Sequence, residues 1–210
     1  MGVVVGFSGS PVVNGNIDVV IKGILDSTGL PAEFVKLSRY EIRPCIGCLK
    51  CASSNRCVQK DDMNTLLDKI LSARGIVVGG FPTYFSLNAL TKTFLERWFP
   101  LKHKFMLTAG KYGVAVAGGF RDTDNVREYL TSFFKWFRMP LIGSITVPGN
   151  APCLSCGFGE ECSYSNVPIN YGSNRIDPGM FRSACKDTAL MSEARKLGKA
   201  LKGKITIIQS

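Results

Sequence analysis

The chain has 210 residues and a formal net charge of +10, long enough for one domain with its own core. Apolar residues make up 45% and charged residues 20%. That balance excludes a disordered or fibrous chain, and no apolar run reaches the roughly 18 residues of a membrane span. The eight cysteines follow an N-terminus with no leader-like pattern, so they point to metal or redox chemistry in the cytoplasm rather than to a disulfide scaffold.

The first predicted strand is Val3–Phe7, followed by helical spacing over Ile17–Gly29 with Gly29 as its stop. A second strand is predicted over Glu33–Leu37. After a cysteine-rich loop comes a helix over Asp61–Gly75, whose acidic first turn suits the helix dipole. Gly75–Gly80 reads as a buried third strand and Asn88–Phe99 as a helix. A fourth strand is predicted over Tyr112–Gly119, a helix over Asp124–Arg138 and a fifth strand over Pro140–Val147. From Pro148 to about Asp177 the chain is rich in Gly, Pro, Asn and Ser and reads as irregular. A last helix is predicted from about Met180 to Leu201. The division is therefore residues 1–147 as the main domain and 148–210 as an irregular segment and helix packed on it. Alternating strands and helices imply a parallel sheet covered on both faces, in the doubly wound order of flavodoxin-like proteins. Ligands of such α/β folds bind beyond the carboxyl ends of the strands, so the loops after strands 1 to 4 are expected to meet at one edge.

The loop Ser8–Asn16 (SGSPVVNGN) joins strand to helix. Its small and hydroxyl residues let backbone N–H groups close around an anion, or simply cap a helix. The glycines of a dinucleotide fingerprint and the Gly-Lys-Ser/Thr of a P-loop are missing. In the third loop Pro82, Thr83, Tyr84 and Phe85 leave the strand, where an aromatic ring can stack on a planar ligand. Ser86 and Asn88 offer polar contacts to a ring edge. In the fourth loop Gly118 and Gly119, before Phe120 and Arg121, allow close backbone approach to a flat group.

Cys45, Cys48, Cys51 and Cys57 follow a C-x2-C-x2-C-x5-C spacing within thirteen residues. The first three repeat as in bacterial ferredoxins, and the longer last gap lets Cys57 return to the same cluster. A [4Fe–4S] cluster, zinc, or free regulatory thiols would each use such a loop. A second group, Cys153, Cys156 and Cys162 with distant Cys185, could hold part of another cluster, hold zinc, or be buried thiols. His103, the only histidine, reads as a solvated surface residue. Trp98 and Trp136 read as packing residues, and Lys92 and Arg97 as a solvated helix face or a subunit contact. The positive charge is spread over Leu101–Phe105, Phe133–Arg138 and Ala194–Lys204 without a dense basic block, a poor match to nucleic-acid binding.

Together the motifs resemble the iron–sulfur flavoproteins, a branch of the NADPH-dependent FMN reductase group. These motifs are Gly9–Asn16, the cysteine loop within residues 43–60, Asp61–Met63, and Pro82-x-Tyr84 with Lys92-x-Phe94-x-x-Arg97. The resemblance covers residues 2–147 and implies FMN on the first and third loops and [4Fe–4S] on the four cysteines. It also implies a homodimer or homotetramer. The family commonly has Arg-Lys after its Ser-Pro, where this chain has Val12 and Val13, and Ser or Thr where it has Ile17. Ser8, Ser10, Asn14 and Asn16 are the residues expected at the phosphate. The expected function is electron transfer from a ferredoxin-like donor through the cluster to FMN and on to an acceptor. The alternatives are an NAD(P)H-dependent FMN or quinone reductase with structural zinc, and a metal- or redox-sensing binding protein. A membrane partner is not expected.

Overall fold

The computed structural model describes residues 3–207. Its centre is a parallel sheet of β1 (Val3–Ser8), β2 (Ala32–Lys36), β3 (Ala73–Gly80), β4 (Tyr112–Gly119) and β5 (Leu141–Pro148), in the order 2-1-3-4-5. Successive side chains of a strand point to opposite faces. Val5, Phe7, Ile76, Val78, Ala115 and Ala117 therefore enter one core, and Val4, Val77, Val114, Val116, Ile145 and Val147 enter the other. The helices α2 (Met63–Ser72), α3 (Ala89–Glu96) and α4 (Thr123–Trp136) cover the first face. The second is covered by α1 (Asn16–Thr28) and α6 (Thr188–Ile207). A short helix, α5 (Val167–Tyr171), lies in the segment between β5 and α6.

The five predicted strands form, each within two residues of its expected ends. Gly29 closes α1 in the left-handed conformation at φ 59°, as its position suggests. Helix α2 is shorter than expected at both ends. Asp61 and Asp62 are spent on the loop before it: Asp61 Oδ1 accepts the Met63 N–H, and Asp62 Oδ2 accepts the Glu41 N–H. At the far end Ala73 already pairs with Val3 in the sheet, while the Lys111 ammonium donates to the carbonyls of Leu71 and Ala73.

The C-terminal helix departs most from expectation. Pro178 and Ala184 begin single 3-10 turns, and the α-helix starts only at Thr188, after Asp187, whose carboxylate accepts the Leu190 N–H at 2.9 Å. It then runs six residues past Leu201 to Ile207, because Leu201 and Ile205 still face the sheet. No helix among the described residues is long and apolar enough to cross a membrane.

Helices α1 and α6 cross so closely at Gly198 that a Cβ there would sit 2.3 Å from the Ile24 carbonyl oxygen. Backbone cannot yield as a flexible side chain can. Gly198→Ala is therefore expected to destabilise the fold by about 1–3 kcal/mol, the usual range for overpacking. Urea unfolding followed by the fluorescence of buried Trp98 would measure it, and an unchanged midpoint would contradict the close crossing.

Candidate functional site

A cavity of about 670 Å³ opens at the carboxyl end of the sheet, within the roughly 300–1,000 Å³ of small-molecule sites. The loop after β1 contributes Ser10, Pro11 and Val12, and the start of α1 contributes Gly15, Asn16 and Ile17. From the loop after β3 come Pro82, Thr83, Tyr84 and Phe85. The end of β4 adds Gly118 and Gly119, and the loop after it Phe120 and Arg121. The fourth wall is the loop after β5, including Gly149, Pro152 and Ser155, a stretch that no ligand-binding motif in the sequence marks. Helix α1 opens on Gly15, which has no side chain to cap the first turn, so the free N–H groups of a helix N-terminus stand at the cavity wall.

Four residues expected at a ligand do not line this cavity: Ser8, Asn14, Ser86 and Asn88. Three of them hold its walls. The Ser8 hydroxyl donates to Asp18 Oδ1, the Asn14 N–H donates to Asp18 Oδ2, and Asp18 forms a buried ion pair with Lys36 at 2.7 Å. Lys36 also donates to the Val12 carbonyl. Asn88 ties the first loop to the third: its amide donates to the Gly9 carbonyl, and its Oδ1 accepts from the Phe81 N–H and the Thr91 hydroxyl. Ser86 is exposed on the short hairpin Pro82–Thr83/Ser86–Leu87. Asn16 lines the cavity, but its side chain is engaged with the C-terminal segment, through the carbonyls of Pro148 and Arg182 and the N–H of Ala184.

The hairpin turns on Tyr84 and Phe85, at φ 48° and 63°. A turn that demands left-handed backbone at both central residues normally takes Asn and Gly. Bulky aromatics there carry strain, and strain of this kind concentrates at functional sites. The two rings are 94% and 73% exposed, so packing in this chain does not compensate. Arg121 is the cation on the cavity wall, its guanidinium hydrogen-bonded to the side-chain oxygens of Asn166 and Asn170.

The cysteine loop does not line this cavity. Cys45, Cys48, Cys51 and Cys57 line a separate small cavity with Arg97, Phe99 and Pro100, and no lining residue is common to the two cavities. The loop turns away because it is pinned to the end of α3. Arg97 is not on a solvated face: it and Asp61 form an ion pair with side chains 1% and 0% exposed. Arg97 also donates to the Arg43 carbonyl and, at 3.3 Å, to the Cys57 sulfur, while Asp61 Oδ2 accepts the Arg43 N–H. His103 likewise faces the loop rather than open solvent. Its Nε2 lies 3.4 Å from the Cys51 sulfur, and its carbonyl accepts from Asn55 Nδ2. Lys92 does keep to a helix face, pairing with Glu96 and Tyr129.

Burial, then the neighbouring thiols of Cys57, Cys45 and Cys48, push the Cys51 thiol above its ordinary value, against a lowering backbone hydrogen bond. Cys51 thus lies within electrostatic reach of the other three thiols. No group of three or more Cys, His, Asp or Glu side chains stands ready around a single metal ion among the described residues. Trp98 is a packing residue at the centre of an aromatic cluster with Phe94, Phe133 and Phe137. Trp136 is not: it is 69% exposed and borders an apolar cavity of about 480 Å³ with Cys45, Phe99 and Phe133.

The strand order and the cavity at its switch point define a flavodoxin-like protein. The fold matches a flavodoxin from the domain Archaea with TM-score 0.55 at 11% identity, covering 98% of this chain and 99% of that one. Residues 3–151 match the family model for NADPH-dependent FMN reductase. The chain is 29% identical to the iron-sulfur flavoprotein MJ1083 of Methanocaldococcus jannaschii, over 98% of both chains. It is 32% identical to an iron-sulfur flavoprotein of Archaeoglobus fulgidus, over 69% of this chain and 70% of that one. The chain belongs to the NADPH-dependent FMN reductase family, in its iron–sulfur flavoprotein branch, and is by class an FMN-dependent oxidoreductase or electron-transfer flavoprotein.

Removing one partner of a buried ion pair leaves the other uncompensated, at a cost of about 3–5 kcal/mol. Arg97→Met is expected to lose stability on that scale in urea unfolding, and a loss below about 1 kcal/mol would show that the pair pins nothing. Burial alone would raise the Asp61 carboxyl, but hydrogen bonds from Arg97 and Arg43 hold it below its ordinary 3.8. Its stabilisation is then present above about pH 4 and lost as pH falls through the depressed value. Asp61→Asn is expected to flatten the acid limb of stability against pH. Replacing Tyr84 by Asn and Phe85 by Gly together is expected to stabilise the chain by about 1–2 kcal/mol through relief of strain. Thermal unfolding measures it, and an unchanged midpoint would contradict the strain.

Proposed function

We propose that this iron–sulfur flavoprotein passes electrons from a one-electron donor such as ferredoxin to a downstream acceptor. In this reading Cys45, Cys48, Cys51 and Cys57 hold a [4Fe–4S] cluster, and the larger cavity holds FMN. The observation that carries it is the convergence of four thiols on one cavity, in a chain whose sheet edge offers a second cavity of nucleotide size. A [4Fe–4S] cluster takes one thiolate at each of its four irons, which four cysteines lining one cavity would supply. A cluster supplies one-electron chemistry and a flavin one- or two-electron chemistry, so the pair converts between them.

The chain's own residues do the positioning. The hairpin aromatics Tyr84 and Phe85 and the backbone of Gly118–Phe120 suit a planar ring. Ser10 and the first turn of α1 suit the phosphate, with Arg121 as the cation that Val12 and Val13 do not provide. Ser8, Asn14 and Asn88 act at one remove, by holding these loops. Arg97 donates to the Cys57 sulfur and so holds it at the end of the loop. Eight free thiols suit the reducing cytoplasm, and the basic surface suits an acidic donor protein. The two cavities share no wall, and the apolar cavity at Trp136 lies beside Cys45. Both features favour assembly of copies into a homodimer or homotetramer, so that cluster and flavin meet between subunits.

Protein purified without air is expected to show flavin absorbance and, on reduction, the EPR signal of a reduced cluster. Cys48→Ser should abolish the EPR signal and keep the flavin. The second reading, an NAD(P)H-dependent FMN or quinone reductase with structural zinc, draws on the matched family's description. It would be established by zinc in place of iron and by NADPH oxidation undiminished in Cys48→Ser.

A further inference from the structure

The second cysteine group is not absorbed by this reading. Cys153 is the middle residue of a single 3-10 turn, Pro152–Leu154, and Cys156 follows just after it. The Cys156 thiol donates back to the Cys153 carbonyl at 3.6 Å, so the second sulfur lies beside the first residue. The Cys153 sulfur accepts from the Asn166 N–H at 3.4 Å and from its side-chain amide at 3.9 Å. These donors, the backbone N–H first, draw the Cys153 thiol below its ordinary value against the opposing effect of burial. The other end of the same amide, Asn166 Oδ1, accepts from Arg121 on the wall of the large cavity. The turn is tightly built: a Cβ on Gly159 would meet the Cys153 carbonyl oxygen at 2.0 Å.

Ala151, Pro152 and Ser155, which flank and separate the two cysteines, line that same cavity. C-x-x-C spacing, one sulfur held by N–H donors and a second, exposed cysteine whose sulfur reaches the backbone of the first are the elements of a reactive dithiol. We infer that Cys153 and Cys156 form a reversible dithiol–disulfide couple that exchanges two electrons with the flavin of the adjacent cavity. The inference rests on the proposed FMN site. In the reductive direction the Cys153–Cys156 bond takes two electrons and one proton from reduced FMN and breaks. A thiolate remains at Cys153, hydrogen-bonded to Asn166, and a thiol at Cys156, with oxidised FMN as the other product. Cys162 and Cys185 take no part; Cys185 contacts the Ser183 hydroxyl instead.

The test uses the full chain loaded with FMN without air. After glutathione disulfide treatment, alkylation and peptide mass mapping should show Cys153 and Cys156 protected together, as one internal disulfide. Light-reduction of the bound FMN should then restore alkylation of both. Cys156→Ser should lose the protection of Cys153. Asn166→Ala should slow alkylation of Cys153 near neutral pH while leaving Cys162 unchanged. Independent alkylation of the two cysteines, a disulfide to Cys162 or Cys185, or a metal ion retained by this group would overturn the couple. A disulfide that reduced FMN on the protein leaves intact would overturn the exchange, while normal FMN binding in the same sample leaves the proposed function standing. A chain that binds no FMN overturns both.

Discussion

The Asp61–Arg97 ion pair decides where the four-cysteine loop of this protein sits. A guanidinium and a carboxylate with almost no exposed surface are costly to bury, and such pairs rarely add net stability over an apolar core. Their contribution here is position. Arg97 ends α3, which is packed into the core through Phe94 and Leu95, and Asp61 stands at the entry to α2. Between them they fix Arg43 at the start of the cysteine loop and Cys57 at its end. Both ends of a loop with little regular structure are thereby attached to rigid helices. The four cysteines come to line one cavity although two of them, Cys45 and Cys48, are exposed.

The same device appears at the other functional loop. Asp18 and Lys36 form the second deeply buried pair, and through them Ser8, Val12 and Asn14 are fixed at the head of α1. The carboxylate beside the helix N-terminus would oppose anion binding. Its pairing with Lys36 cancels that opposition while retaining its hydrogen bonds to the loop. Side chains that look suited to touching a ligand, such as Ser8 and Asn88, instead carry the backbone that lines the cavity.

The segment after β5 is part of the working structure. Its first residues close one side of the large cavity, Asn166 and Asn170 orient Arg121, and Arg182 and Ala184 occupy the side chain of Asn16. Helix α6 then completes the sheet face shared with α1. The strained Tyr84–Phe85 turn is the opposite case, a place where the fold of one chain leaves two aromatic rings without cover.

The sequence by itself determined the order of strands and helices, because hydrophobic period and Gly or Pro punctuation are local properties. The cysteine spacing and three of the loops around the large cavity, those after β1, β3 and β4, were legible in it too, since an α/β sheet sends such loops to one edge; the loop after β5 was not. The sequence could not show that Arg97 is buried. A charged residue at a helix end reads as solvated unless its partner, here Asp61, thirty-six residues earlier, is known to face it. For the same reason His103 read as a surface residue, since its contact with Cys51 spans fifty-two residues. The tertiary structure alone gave the cysteine loop a cavity of its own, and placed Pro152 and Ser155, the neighbours of Cys153 and Cys156, on the wall of the large one. Ion pairs and hydrogen bonds between distant segments set these placements, and they leave no periodic trace along the chain.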